Sequence, residues 1–113
     1  MDLINQQAIL IQQLQQSLKL YKQNGIALAQ AERDYKILLR QEALKLRDEG
    51  MAIGMIDKVC YGIPSVAEAR FKRDCAEAVY KANAEAINTY KLQLRILEGQ
   101  IQREWGNNGT ITN

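Results

Sequence analysis

The chain has 113 residues, of which 47% are hydrophobic and 25% are charged. This length fits one domain and excludes a second autonomous one, and the supply of apolar residues excludes a disordered chain. The net charge of +2 excludes a strong overall field that would draw the chain to nucleic acid or to an anionic membrane.

The first predicted element is a long helix over residues 2–49. Apolar residues recur along it at spacings of three and four, which is the period of helices packed at a shallow angle. This inward stripe comprises Ile4, Ile11, Leu14, Leu18, Tyr21, Leu28, Tyr35, Leu39 and Leu46. The pair Asn24–Gly25 resembles a helix end, but the stripe keeps its phase there, so we favour one helix, open to a kink, over two helices.

Two further helices are predicted after Gly50, which has the position of a glycine that ends a helix. A dense apolar run predicts a short, mostly buried helix over residues 51–61. Pro64 disfavours helix in the residue before it, and Ser65 with Glu68 fits a capping box, so a second long helix is predicted over residues 65–105. Residues 106–113 are predicted to form a flexible tail.

Together these elements predict an all-α fold in a single helical domain, residues 1–105. We expect a helical hairpin of two long antiparallel, coiled-coil-like helices with a short helix at the turn. Two such rods bury only the strip along which they touch, so the chain is expected to form a homo-oligomer. The first 31 residues favour assembly because their only charges are Asp2, Lys19 and Lys22.

The residue types available for chemistry are few. The chain contains no histidine, and its two cysteines, Cys60 and Cys75, have no CxxC partner. The commonest general base and the commonest transition-metal ligand are therefore missing. We expect no catalytic residues, no metal site, no cofactor and no enzymatic activity. The chain has no apolar run of the roughly 20 residues that a membrane span needs and no leader-like start, so we expect a cytoplasmic protein without membrane partners.

A first candidate binding feature is a row of basic residues near one face of the first long helix. The row could face phosphates of a nucleic acid or of a smaller ligand. Structural ion pairs with Glu68, Asp74 and Glu77 across the hairpin are the more ordinary interpretation. The row consists of Arg33, Lys36, Arg40 and Arg47.

A second candidate lies at the start of the second long helix. Basic and aromatic groups near a helix N-terminus are suited to a small anionic or nucleotide ligand. The alternative is a solvated helix face, on which opposite charges four residues apart form a ladder. The candidate ligand-binding residues are Lys58, Tyr61, Arg70, Lys72 and Arg73.

The second half of the chain has a glycine-bearing turn at 50–62, the stretch 70–80 and a closing pattern from Leu94 to Trp105. In these features it resembles, over residues 40–105, small helical proteins of phages and prophages of Gram-positive bacteria. The resemblance implies a phage protein that binds a component of the host. With the lack of catalytic groups, we expect a non-enzymatic binding protein in the host cytoplasm that counters host defence by sequestering a host protein or a nucleotide-like signal. The alternatives are a nucleic-acid-binding accessory of phage replication or recombination, and a structural helical spacer or assembly factor.

Overall fold

The computed structural model describes residues 2–112, and it describes side chains for residues 2–106. This part of the chain is all-helical and contains no strand. The helices are α1 (Leu3–Asp48), α2 (Ile53–Cys60) and α3 (Pro64–Thr112). The predicted all-α class, with two long helices and a short one, is confirmed. Helix α1 is continuous through Asn24 and Gly25.

The end of α1 is a left-handed glycine turn. Gly50 has a φ of +90°, the N–H of Gly50 donates to the carbonyl of Arg47 at 3.0 Å, and the N–H of Met51 donates to the carbonyl of Leu46 at 3.1 Å. This pair of hydrogen bonds is the Schellman arrangement, which satisfies carbonyls that the helix end leaves open. The turn also redirects the chain into α2.

We predict that Gly50→Ala lowers the free energy of unfolding by about 1 kcal/mol, because a Cβ is strained at this φ although nothing lies within 4 Å of it. Gly54→Ala is the matched control. Gly54 is helical and equally open, so alanine is expected to raise stability by about 0.4–1 kcal/mol. Urea unfolding followed by circular dichroism measures both. Equal effects of the two substitutions would contradict the turn.

The start of α3 differs from the sequence prediction. Pro64 is the first helical residue, and the N–H of Ala67 donates to the carbonyl of Ile63 at 2.9 Å. Ser65 therefore lies inside the first turn, and the capping box with Ser65 as the cap is wrong. Proline fits this first position because its fixed φ is helical and its missing N–H has no intrahelical acceptor there.

At its other end α3 continues past Trp105, where the sequence predicted the end of the helix. Gly106 does not adopt a positive φ, so it does not form the left-handed turn that would stop the helix. Of the predicted flexible tail, 106–113, residue Asn113 and the side chains from residue 107 onward lie outside the described part.

The chain divides into two compact units. Unit 2, Gln23–Lys81, has a buried cluster of Tyr35, Cys60 and Val66, one residue from each helix. Partly buried neighbours pack against this cluster: Leu38, Leu39, Ala43, Leu46, Ile63 and Ala69. The thiol of Cys60 donates to the carbonyl of Leu39 at 3.5 Å. The short helix α2 thus completes the core of unit 2 through its last residue.

Unit 1 comprises Met1–Lys22 and Ala82–Asn113. Its buried side chains, among the described residues, are Ile87, Leu97 and the polar Ser17. The Asn83 side chain donates from Nδ2 to the backbone carbonyl of Ser17 at 3.1 Å. This unit therefore has a small core in which a polar contact joins α1 and α3.

Three positions of the predicted inward stripe are wrong. Ile4, Ile11 and Leu18 are exposed by 55%, 41% and 47%. In this part of α1, the more buried positions lie one or four residues before these three. Ser17, one residue before Leu18, is 8% exposed. The apolar residues of this stretch of α1 consequently lie partly on its outer surface.

Candidate functional site

The candidate site is a groove between the carboxyl-terminal part of α1 and α2, called here the α1–α2 groove. Its volume is about 430 Å³. The groove is lined by aliphatic and by charged side chains of α1 and α2. The lining residues are Lys36, Leu39, Arg40, Ala43, Leu44, Arg47, Ile53, Ile56 and Asp57. The groove thus combines an apolar surface with three cations and a single carboxylate.

The cations of the groove differ in their partners. Lys36 lies 3.6 Å from the carboxylate of Glu32, an exposed pair of the same helix. Arg40 and Arg47 have no carboxylate within ion-pair distance in the described part of the chain. Exposed pairs such as the one at Lys36 contribute little to stability. The groove rim is therefore electropositive and open to an anionic partner.

The predicted basic row is only partly brought together. Lys36, Arg40 and Arg47 line the groove, whereas Arg33 binds the neighbouring Asp34 at 3.2 Å and lies outside it. The alternative interpretation of the row, ion pairs across to α3, is wrong for its proposed partners. Two of the acidic residues named for it pair within α3 instead: Asp74 with Arg73 at 2.9 Å and Glu77 with Lys81 at 3.0 Å.

The second predicted cluster does not converge on one point. The guanidinium of Arg70 lies 5.8 Å from the centre of the Tyr61 ring, so these two residues meet. Arg73 instead stacks over the buried Tyr35 ring at 4.7 Å. Lys72 lines a separate groove with Glu68 and Asp34, and all three are exposed. Lys58 is exposed in the last turn of α2.

Arg73 is held in place by a carboxylate. Its guanidinium donates to Asp74 from Nε at 3.0 Å and from Nη2 at 2.9 Å. This hydrogen bonding raises the pKa of Arg73, so the group stays cationic above the Tyr35 ring. The observed role of Arg73 is therefore packing against α1 within unit 2.

The groups that could perform covalent chemistry are unfavourably placed. Cys60 is 1% exposed, and burial, together with the charges of Glu42 and Asp57, raises the pKa of its thiol. A thiol that resists ionisation is a poor nucleophile and metal ligand. Cys75 is exposed. No group of three potential metal-binding side chains occurs within the described residues.

Sequence reasoning missed the α2 side of the groove. Ile53 is 74% exposed, although the apolar run 51–61 was interpreted as mostly buried. Helical spacing shows which residues of α2 share a face: Ile56 and Cys60, four residues apart, form its buried face, with Ile53 and Asp57 beside it. The spacing does not show which of these faces packs on α1.

Comparisons of this chain with protein-family models, with curated proteins and with solved structures find no match. Within the described residues, none of the helices combines the length and apolarity needed to cross a membrane.

Proposed function

We propose that the chain is a non-enzymatic binding protein that captures an acidic amphipathic helix of a partner protein in the α1–α2 groove. The observation that carries this proposal is the pairing of aliphatic lining residues with Arg40 and Arg47, two cations without a carboxylate partner in the described part of the chain. An apolar groove accepts the apolar face of a helix. Cations on its rim select a helix whose flank is acidic.

The dimensions of the rim fit this occupant. Arg40 and Arg47 are seven residues apart on α1, so they lie on one face and roughly 10 Å apart along the axis. Acidic residues seven positions apart on a partner helix would reach both cations. Between them, Ala43 and Leu44 offer a small and a large apolar contact for side chains of the partner.

A nucleotide is a weaker candidate for the same groove. None of the residues that line it is aromatic, so a base would find no ring on which to stack. The lining residues between Arg40 and Arg47 on α1 are the aliphatic Ala43 and Leu44. These features favour a peptide with an apolar face over a phosphate-rich ligand.

The proposed biological role is supported by the resemblance of residues 40–105 to phage proteins. We propose that the partner is a host protein and that binding sequesters it, which is a counter-defence role in the host cytoplasm. The groove supports this role by offering a recognition surface without a reactive group. The same basic row also favours the alternative of nucleic-acid binding.

The test uses a fluorescein-labelled amphipathic peptide of about 16 residues, long enough to span the groove. Leucines occupy one face and glutamates flank it, and a second peptide replaces the glutamates by lysines. Anisotropy titrations with the full chain are expected to show binding of the acidic peptide only, weakening as salt rises. Arg40→Glu/Arg47→Glu is expected to weaken that binding about 10-fold or more.

Arg33→Glu/Arg95→Glu is the matched control, since it makes the same change of net charge outside the groove. It is expected to leave the affinity for the acidic peptide within about 2-fold. Equal loss in both double variants would overturn the assignment of the groove. Tighter binding of a labelled oligothymidine or of a cyclic dinucleotide than of the peptide would replace the proposal by one of its alternatives.

We further propose that α1 and α3 run antiparallel within each unit and that copies of the chain self-associate. In unit 2, a Cβ on Gly25 would lie 3.2 Å from the Tyr80 ring, and Tyr35 lies under Arg73, so later positions of α1 meet earlier positions of α3. In unit 1, Leu10 shares a groove with Leu97, and Ser17 contacts Asn83. These contacts support an antiparallel pair in each unit.

A further inference from the structure

Unit 1 carries a second groove, called here the unit 1 groove, whose character differs from that of the α1–α2 groove. Its volume is about 390 Å³. The lining residues come from α1 and α3 and include no charged side chain: Gln6, Ile9, Leu10, Gln93, Ile96, Leu97 and Gln100. Ile9 is 43% exposed and Ile96 is 55% exposed. Two large aliphatic side chains therefore flank an uncharged groove at the surface.

We infer that the unit 1 groove is covered by the unit 1 groove of a second copy of this chain, so that two helix pairs form a four-helix dimer. The inference rests on the proposed self-association and names its surface. Pairs of antiparallel helices commonly complete a core by packing on another pair in this way.

The amount of core in unit 1 supports a second copy. Its described buried apolar side chains are Ile87 and Leu97, whereas Ile9 and Ile96 in the groove are exposed. Further large exposed apolar side chains of the unit lie outside the groove lining: Ile4, Ile11, Leu18, Leu20, Leu92 and Trp105. A two-helix layer with so little buried apolar surface gains stability when its open face is covered. Covering Ile9 and Ile96 would add both residues to a shared core.

The polar residues of the groove also favour a second copy over a different partner. Gln93 and Gln100 are exposed and seven residues apart on α3, so they lie on one face. A glutamine amide contains both a donor and an acceptor, so glutamines that meet across a twofold axis satisfy one another. A twofold interface requires such self-complementarity, because the same patch occurs on both sides.

The absence of charge from the lining distinguishes this surface from the α1–α2 groove. Three cations line that groove, and like charges would repel if two copies met there. The unit 1 groove imposes no such penalty on a second copy and offers no electrostatic selection of an acidic or basic partner. An identical chain is the occupant that matches its chemistry.

Sedimentation equilibrium of the full chain tests the inference. The wild-type protein is expected to be a dimer at concentrations of tens of micromolar. Ile9→Glu/Ile96→Glu is expected to be monomeric at the same concentrations, because each copy would bring two carboxylates into an apolar interface. Circular dichroism reports whether the variant keeps its helices.

A milder variant keeps the test decisive if the first one does not fold. Gln93→Lys/Gln100→Lys changes only exposed residues, and it is expected to weaken the dimer at low salt and to recover at high salt. The control is Ile4→Glu/Leu18→Glu, which alters equally exposed residues on another side of α1 and is expected to remain dimeric.

The possible outcomes distinguish a wrong interface from a failure of the proposed self-association. A wild-type monomer would overturn both this inference and the proposed self-association. A wild-type dimer that survives Gln93→Lys/Gln100→Lys and Ile9→Glu/Ile96→Glu would overturn the inference alone. If the Ile4→Glu/Leu18→Glu control is monomeric while the groove variants stay dimeric, the interface lies on the other side of α1. That result would also overturn the inference about the unit 1 groove.

Discussion

Replacing Tyr35 by alanine is expected to lower the free energy of unfolding by about 3–5 kcal/mol, the range for truncating a large buried ring. Tyr35 is 6% exposed and belongs to the buried cluster with Cys60 and Val66, to which each of the three helices contributes. Its ring also supports the guanidinium of Arg73 at 4.7 Å. Truncation would leave a cavity at the point where α1, α2 and α3 meet in unit 2.

Two other substitutions isolate the cause of this loss. Tyr35→Phe keeps the ring and its stacking with Arg73, and it is expected to cost less than about 1.5 kcal/mol. Tyr61→Ala removes a ring that also lies under an arginine but is 43% exposed, and it is expected to cost less than about 1 kcal/mol. Urea unfolding followed by circular dichroism measures all three. A loss at Tyr61 as large as that at Tyr35 would show that arginine stacking, rather than burial, dominates.

The helices of this fold were predictable because local rules decide them. The glycine turn at Gly50 needs only a residue that tolerates positive φ, and the observed φ of +90° matches that requirement. The start of α3 was placed within one residue, although the capping box was wrong, because proline itself opens the helix. Such features depend on a few neighbouring residues and are therefore visible in the sequence.

The face that α1 turns inward was less predictable. In unit 2 the predicted Tyr35 is buried, but in unit 1 the stripe placed Ile4, Ile11 and Leu18 inside, and all three are exposed. The buried position in this part of α1 is Ser17, whose backbone carbonyl accepts a hydrogen bond from Asn83. Apolar periodicity assigns polar residues to the surface, so it cannot find an inward position that a serine occupies.

The candidate site was likewise predictable only in part. Three of the four residues in the predicted basic row line the α1–α2 groove, since their spacing on a helix fixes their common face. The other basic cluster separates because Arg73 turns to Tyr35, while Arg70 meets Tyr61. Its members were grouped by their closeness in sequence, and consecutive residues of a helix point in different directions. Tertiary packing, which the sequence alone does not give, decides the rest.

Changing Asn83 to aspartate is expected to lower the free energy of unfolding at neutral pH by about 2–3 kcal/mol. The side chain of Asn83 is half-buried and donates from Nδ2 to the backbone carbonyl of Ser17 at 3.1 Å. A carboxylate of nearly the same shape has no proton to donate, and it would place a negative charge against the carbonyl oxygen. The cost therefore comes from one lost donor and from repulsion, with little change in packing.

The pH dependence of this variant identifies the cause. Repulsion by the Ser17 carbonyl raises the pKa of the new carboxyl in the folded state above its unfolded value, because the protonated form can donate the missing hydrogen bond. Its favourable contribution is thus fully present below the unfolded pKa and is lost as pH rises through the folded pKa. Urea unfolding should show the difference from wild type shrinking between about pH 7 and pH 3. Asn88→Asp, at an exposed position of α3, is the control and should show no comparable recovery of stability at low pH. A loss of stability in Asn83→Asp that does not change with pH would mean that the Asn83–Ser17 hydrogen bond does not hold α1 and α3 together.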